Sequence, residues 1–168
     1  GELAAAYLRG DVSAATFAQQ VQRDREQYGG FNLLLADAEQ LWCVGSHQPE
    51  PVAVSPGWHG LSNATLNTPW PKLQRLLAGA QTLSAQQVAA SRSHLELLAD
   101  TTPAADSALP ETGVGVLMER MLSPICIRTP AYGTRNSTWL RLTREEILWH
   151  EQDYNEGVQR EFQRARLS

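Results

Sequence analysis

The stretch FNLLLADAEQLWCVGS, residues 31–46, constrains the fold of this chain more than any other. Apolar runs over 31–36 and 41–45 flank a polar turn around Asp37-Ala38-Glu39, which predicts a β-hairpin. The continuous apolar run Leu33-Leu34-Leu35 predicts that the first strand is covered on both faces. A hairpin of this kind needs further layers, which the rest of the chain must supply.

Helices and strands alternate in blocks along the chain. Helix formers predict helices over 2–9 and about 14–27, the second capped by Asp11 or Ser13. Caps, prolines and periodicity predict the remaining elements: strand 51–55, a helix capped by Thr68, helix 85–99 capped by Ser84, a helix from Thr112 to Pro124, and strands 125–129, 137–143 and 146–154. The tail over 156–168 is either a last strand or a frayed helix. Short strands in hairpins beside amphipathic helices predict an α+β fold, with antiparallel sheets that carry helices on their outer faces.

The composition narrows the classes of function. With 168 residues, 42% of them hydrophobic and 19% charged, the chain is expected to form a single domain over 1–168 with a packed core. The formal net charge of −4 does not supply the basic surface of a nucleic-acid-binding protein. No apolar run approaches the roughly 18 residues of a membrane span. Cys43 and Cys126 lie in apolar contexts without a cysteine framework, which favours buried thiols and a cytoplasmic location.

The stretch PGWHGLSNATLNTPW is the first candidate for a functional segment. The amide of Asn63 is suited to orient a substrate carbonyl or to donate to an oxyanion; the alternative is that Asn63 and Asn67 satisfy backbone groups in a turn. The imidazole of His59 suits acid–base chemistry or ligation, or is a hydrogen-bonded polar group in an aromatic turn. Trp58 and Trp70 suit either the wall of an apolar ligand site or core packing.

The stretch YGTRNSTWL is the second candidate and places Arg135 between a turn glycine and a strand. The planar guanidinium is suited to hold a carboxylate or phosphate, and the alternative is a structural ion pair. The sequence contains no HExxH, paired CxxC, P-loop or GxSxG motif. Its four histidines have no ligand spacing, so no metal site is predicted.

Four segments together resemble the NRDE family, also called the Transport and Golgi Organisation protein 2 family. They are YGGFNLLLAD, PGWHGLSNATLNTPWPKL, LPETGVGVLMERMLSPICI and YGTRNSTWLRL, in that order. The resemblance covers nearly the whole chain, and HGLSN…TPWPK and YGTR.ST are its most specific parts.

The resemblance implies a fold similar to that of the N-terminal-nucleophile hydrolases, a layered αββα sandwich of antiparallel sheets with outer helices. In that fold an exposed first residue, Cys, Ser or Thr, is the nucleophile and its α-amine is the base. Family members begin Met-Cys and carry an Asn-Arg-Asp-Glu motif, and this chain has neither. The chain therefore resembles the larger, C-terminal part of such a domain. We expect a missing N-terminal segment or a second chain to complete the incomplete sandwich.

The resemblance also implies the handling of an amphipathic, anionic small molecule, through haem trafficking or acyl-CoA and lipid metabolism. No particular cofactor is assigned, and haem or acyl-CoA is the candidate ligand; ligation of haem iron by His59 is the less favoured arrangement. Two alternatives stay open: an amide or thioester hydrolase that uses an N-terminal Cys outside this chain, and an inactive structural or trafficking adaptor.

The family's site residues carry over onto the two candidate segments. By resemblance, Asn63 is the oxyanion-side amide and Arg135 lies near the nucleophile, and these are the two catalytic assignments. The two segments are expected to form opposite walls of one cleft. The ligand-binding residues that the resemblance implies are Trp58, His59, Ser62, Asn63, Trp70, Tyr132, Thr134, Arg135 and Ser137.

Overall fold

A computed structural model describes residues 1–165, and these divide into two compact units, one over Gly1–Thr68 and one from Pro69 onward. The first unit begins with the two predicted helices, α1 (Glu2–Arg9) and α2 (Ala14–Asp24), and a 3-10 turn over Arg25–Gln27. The predicted cap Ser13 accepts the backbone N–H of Thr16 at 3.2 Å, so α2 begins where the sequence indicates.

A three-stranded antiparallel sheet completes the first unit, in the order β1 (Asn32–Ala36), β2 (Leu41–Gly45) and β3 (Val52–Val54). Its core lies between the sheet and α2, and consists of Ala14, Ala18, Val21, Leu35 and Val44. The prediction that β1 is covered on both faces is wrong, because Leu34 points away from this core and is 51% exposed.

The second unit begins with helices α3 (Pro71–Gln81), α4 (Ala85–Val88) and α5 (Ser91–Leu98), followed by a 3-10 turn at Asp106–Ala108 and by α6 (Val116–Leu122). Gly79 lets α3 approach α5 closely, since a Cβ there would collide with the side chain of Leu97. Ser84 caps α4 in a capping box with Gln87, as predicted.

Three helix predictions in this unit are wrong in detail. The helix over 85–99 is interrupted at Ala89-Ala90, and α5 begins anew at Ser91. Trp70, not Thr68, occupies the N-cap of α3, because the hydroxyl of Thr68 is bonded to that of Thr65 at 2.8 Å. The carboxylate of Glu119 accepts both the N–H and the hydroxyl of Thr112, so α6 begins only after Gly115.

A second antiparallel sheet closes this unit, in the order β4 (Asn136–Leu142), β5 (Glu146–Asp153) and β6 (Gln159–Ala165). The predicted hairpin over 137–154 is confirmed, and the tail forms a strand rather than a helix up to residue 165; the remaining tail residues lie outside the described part. The predicted strand 125–129 is wrong, because only an isolated bridge between Arg128 and Gly133 forms there.

The α+β class is confirmed: each unit consists of helices and a three-stranded antiparallel sheet. The single domain over 1–168 stays a prediction. Within residues 1–165, no helix is both long and apolar enough to cross a membrane.

Candidate ligand-binding sites

The first loop, residues 55–68, follows β3 and forms the last part of the first unit. Hydrogen bonds of His59 join its two ends. The Nε2 atom of His59 lies 2.9 Å from the carbonyl oxygen of Ser55, and its Nδ1 atom lies 2.9 Å from the amide nitrogen of Asn67. Because a carbonyl only accepts, His59 carries its proton on Nε2 and accepts the Asn67 amide at Nδ1. Both ring nitrogens are therefore occupied within the loop.

Asn67 closes the first loop from the other side. Its Oδ1 atom accepts the backbone N–H of Gly60 at 2.9 Å, and its own N–H donates to the Gly60 carbonyl at 2.7 Å. Its backbone is in the left-handed region, with φ of 62°, which Asn tolerates better than most residues. For Asn67 the structure thus supports the turn-forming alternative.

An apolar pocket of about 560 Å³ lies between the first loop and the outward side of the first sheet. Trp58, 44% exposed, forms part of its wall, and His59 lines it as well. The other apolar lining residues are Leu34, Leu41, Val54, Pro56, Leu61 and Leu66. The exposed side of β1 thus lines a pocket rather than forming a second packed face.

Ser62 and Asn63 line a neighbouring pocket of about 630 Å³, together with Asn32 and His47. The amide of Asn32 donates to the carbonyl of Ser62 at 2.6 Å and so fixes the backbone next to Asn63. The Asn63 side chain is exposed, and no group in residues 1–165 forms a hydrogen bond with it. Its amide is therefore available to a ligand, unlike that of Asn67.

The second loop, residues 127–135, is folded by two threonines. The hydroxyl of Thr129 donates to the carbonyl of Tyr132 at 2.6 Å and accepts the Tyr132 N–H at 3.0 Å. The hydroxyl of Thr134 accepts the N–H of Ile127 at 2.9 Å, and the Thr134 N–H returns to the Ile127 carbonyl at 2.8 Å. These bonds take the place of the predicted strand 125–129.

The second loop surrounds a pocket of about 370 Å³, which we call the arginine pocket. It contains three of the predicted residues, Tyr132, Thr134 and Arg135, and in addition Arg128, which the sequence reasoning did not single out. The predicted Ser137 is buried beside this pocket and accepts the Tyr154 hydroxyl at 3.0 Å. Ser137 therefore supports the pocket rather than lining it.

Trp70 belongs to a different cluster of the second unit. The Lys72 ammonium lies 5.7 Å from the centre of its ring and donates to the carbonyl of Leu122 at 3.0 Å. Burial lowers the pKa of Lys72 because it penalises the charged ammonium, and Glu119 acts in the opposite direction. These contacts join α3 to α6, which supports the packing alternative for Trp70.

Another polar cluster joins α5 to the second sheet. The hydroxyl of Ser91 lies 2.7 Å from Nδ1 of His150, and a carboxylate oxygen of Glu161 lies 3.4 Å from the same nitrogen. A Ser-His-acid triad needs the serine and the acid on opposite ring nitrogens, so this arrangement is not one.

The structure thus assembles the predicted residues into separate local sites. Trp58 and His59 share the apolar pocket, Ser62 and Asn63 share its neighbour, and the residues of the second loop meet at the arginine pocket. The expectation that the two loops are opposite walls of one cleft stays a prediction. In the part of the chain that the structure describes, no group of three or more His, Cys, Asp or Glu side chains could hold a metal ion.

Comparison with known proteins shows extensive similarity. The sequence model of the family described as Transport and Golgi organisation 2 matches residues 1–156. The human Transport and Golgi organization protein 2 homolog is 32% identical over 154 residues, which cover 82% of this chain and 55% of that protein. The bovine homolog is 32% identical over 155 residues and the mouse homolog 29% over 154, with the same coverage. The chain spans about half the length of the curated relatives it matches.

Proposed function

This chain belongs to the Transport and Golgi organisation 2 family, and on that premise we propose that it binds an amphipathic, anionic small molecule. Haem and acyl-CoA are the two candidate ligands. The observation that carries the proposal is the apolar pocket with Trp58 at its wall. Its volume of about 560 Å³ is in the usual range of small-molecule sites, and four leucines and a tryptophan are among its lining residues.

The hydrogen bonds of His59 favour the acyl-CoA candidate over haem ligated at this residue. Haem iron binds a histidine through a nitrogen lone pair, but the Nδ1 lone pair of His59 accepts the Asn67 amide and Nε2 donates to Ser55. Ligation would break one of these bonds and release the first loop. An acyl chain needs only the apolar wall.

Arg135, in the second unit, is our proposed contact for an anionic group. Its side chain is exposed at the arginine pocket and has no ion-pair partner among residues 1–165. An uncommitted guanidinium is suited to carboxylate or phosphate. The family's layered αββα sandwich is the proposed scaffold, which a further N-terminal segment or a second chain would complete.

We assign the proposed activity to the cytoplasm on the evidence of the cysteines. Cys43 and Cys126 are both free thiols, and both are buried. Free, buried cysteines without disulfides are usual in proteins of reducing compartments.

Titration with palmitoyl-CoA and with haemin, followed by tryptophan fluorescence, tests the proposal. We expect saturable binding of palmitoyl-CoA that Trp58→Ala weakens about tenfold or more. Phe162→Ala is the matched control, because Phe162 is an aromatic residue of similar exposure, 52%, on the second sheet. His59→Ala and Arg135→Ala should also weaken binding. Absence of saturable binding of either ligand, or equal binding by wild type and Trp58→Ala, would contradict the proposal.

One observation favours the hydrolase alternative, namely that the amide of Asn63 is exposed and free to meet a substrate carbonyl. If the family member is an amide or thioester hydrolase with an N-terminal Cys outside this chain, Asn63→Ala should lower turnover about a hundredfold. Failure of acyl electrophiles to label that cysteine in the longer protein would count against it. The adaptor alternative, which expects buried packing around Asn63, gains no support from this exposed side chain.

A further inference from the structure

The arginine pocket has a one-sided charge. Its lining residues include Arg128 and Arg135 and no Asp or Glu. Arg128 also borders a second, larger cavity, which four acidic residues line. The chain as a whole has a formal net charge of −4, so this local excess of positive charge runs against the composition. Neither arginine has an ion-pair partner in the described part of the chain. Two arginines that line one pocket and have no ion-pair partner are a feature of anion-binding surfaces.

Tyr154 holds both arginines in place. The guanidinium carbon of Arg128 lies 4.4 Å from the centre of the Tyr154 ring, a cation–π contact that keeps the group over the ring face. The backbone N–H of Tyr154 donates to the carbonyl of Arg135 at 2.8 Å. The Tyr154 hydroxyl is fixed in turn on the buried Ser137. One tyrosine thus positions the side chain of the first arginine and the backbone of the second.

The two threonine hydroxyls of the second loop are already occupied. The hydroxyls of Thr129 and Thr134 are bonded to backbone groups of the same loop. The folded loop therefore needs neither guanidinium for its own stability. Its two arginine side chains can meet a ligand without first giving up a bond inside the protein.

We propose that Arg128 and Arg135 bind a phosphate or diphosphate group. Each guanidinium can pair with two oxygens of a phosphoryl group, and two guanidinium groups balance a dianion, whereas a carboxylate needs only one. The pocket of about 370 Å³ is large enough for such a group. This inference deepens the proposed function and rests on it for one residue, Arg135, the proposed contact for an anionic group. The role of Arg128 and the choice of a phosphoryl group as the anion are additional.

The phosphoryl group has two possible sources, a free inorganic anion or the phosphate arm of a larger ligand. Calorimetric titration of the full chain with inorganic diphosphate, with CoA lacking an acyl group, and with palmitoyl-CoA separates them. We expect both diphosphate and CoA to bind, because neither needs the apolar pocket. Binding of diphosphate without CoA would support a free anion as the ligand; binding of neither would overturn the proposal.

Charge-removing variants locate the site. We expect Arg128→Gln and Arg135→Gln each to weaken diphosphate binding about tenfold or more, and Arg128→Lys to recover only part of it, since lysine lacks the planar fork. Arg144→Gln is the matched control, an exposed arginine in the turn between β4 and β5. Equal weakening by Arg144→Gln, or unchanged binding by Arg128→Gln, would overturn the assignment. Circular dichroism melts of each variant establish that the fold is intact.

A positioning role for Tyr154 gives an independent readout. Tyr154→Phe keeps the ring beneath Arg128 but removes the bond to Ser137, so it should weaken diphosphate binding by less than Arg128→Gln does. Trp58→Ala should leave diphosphate binding unchanged while it weakens palmitoyl-CoA. If palmitoyl-CoA binding ignores Trp58→Ala but diphosphate binding needs Arg128, the proposed function fails and the phosphoryl site stands. If palmitoyl-CoA binding needs Trp58 but diphosphate binding does not need Arg128, the phosphoryl site fails and the proposed function stands.

Discussion

In the first loop, His59 has both ring nitrogens bonded to Ser55 and Asn67, whereas in the second loop neither Arg128 nor Arg135 is ion-paired within residues 1–165. The first loop uses the side chains of His59 and Asn67 to hold its shape, and apolar side chains line its pocket. The second loop uses threonine hydroxyls for its shape and leaves its cations at the pocket.

The difference shows that chemical reactivity is a poor guide to which side chain meets a ligand. Imidazole is the most versatile group in the first loop, but its hydrogen bonds make it part of the frame. Leucine and tryptophan therefore line the pocket of the first loop, and arginine lines that of the second. The hydrogen bonds that fold the first loop and those that fold the second are expected to contribute separately, and by different amounts, to the free energy of unfolding.

The largest effect is expected from two glycines, Gly45 next to the residue that holds the first loop and Gly133 within the second loop. A Cβ at Gly45 would collide with the side chain of Asn32 and lie 2.8 Å from the carbonyl of Phe31, and Asn32 is the residue that holds Ser62. A Cβ at Gly133 would lie 2.9 Å from the carbonyl of Ile127. Overpacking of this kind costs about 1–3 kcal/mol, so Gly45→Ala should lower the free energy of unfolding by about 3 kcal/mol and Gly133→Ala by about 1.

Urea denaturation of both variants measures this difference. A larger loss for Gly133→Ala than for Gly45→Ala would contradict the view that the first loop has the tighter support.

The next effect concerns two asparagines of the first loop that sequence reasoning could not tell apart. Asn67→Ala removes the bonds to His59 and Gly60 and puts alanine at a φ of 62°, so we expect a loss of about 2 kcal/mol in the free energy of unfolding. Asn63→Ala is the control and should change stability by less than about 0.5 kcal/mol, because its amide is exposed and has no partner.

Asn67→Gly separates the two causes, since glycine relieves the backbone strain but not the lost bonds. Equal losses for Asn67→Ala and Asn63→Ala would show that the loop does not depend on Asn67.

A smaller effect is expected in the second loop from Thr134→Val. Valine has nearly the same shape but leaves the N–H of Ile127 without its acceptor, which costs about 1 kcal/mol. Because the arginine pocket is built on this loop, diphosphate binding should weaken slightly as well. Thr138→Val is a suitable control, since within residues 1–165 its exposed hydroxyl forms a hydrogen bond only with the Glu151 carboxylate across the second sheet. Equal stability of Thr134→Val and wild type would contradict the frame role of this hydroxyl.

The fold could be predicted wherever its cause is local. The first hairpin was correct because its turn is encoded by Asp37, whose carboxylate accepts the N–H groups of Glu39 and Gln40. The prediction of a strand over 125–129 was wrong because β-propensity does not take account of side-chain hydrogen bonds. The hydroxyl of Thr129 bonds to the backbone of Tyr132 and so reverses the chain. The start of α6 was missed because Thr112 bonds to Glu119, and a contact of that kind is set by tertiary packing.

The sequence located the candidate segments, but it did not assign a role to each side chain within them. Both loops were located, and Trp58, Asn63 and Arg135 do lie at pockets. Arg128 was missed because it lies inside the wrongly predicted strand. Its guanidinium is positioned by Tyr154, which is distant in the sequence and is brought beneath it only by the fold.

The smallest effect is a difference in acid sensitivity between the two units. Hydrogen bonds from the backbone N–H groups of Ala14, Glu39 and Gln40 lower the pKa of Asp37 in the first unit. In the second, the N–H groups of Glu156 and Asn155, with Arg160, lower the pKa of Asp153. A carboxyl group whose pKa is lower in the folded than in the unfolded chain contributes stability above its unfolded pKa of about 3.9. That contribution is lost as the pH falls through the lower, folded value.

We therefore expect the stability gap between wild type and Asp153→Asn to close as the pH falls from about 6 towards about 3, and the gap for Asp37→Asn to close over the same window. Asp153 should show the larger gap, because it is only 3% exposed and also paired with Arg160, whereas Asp37 is exposed. Urea unfolding at a series of pH values checks both. A gap that widens on acidification would mean that the carboxylate is not the stabilising form. A larger gap for Asp37 than for Asp153 would mean that the more strongly stabilising carboxylate lies in the first unit, contrary to our expectation.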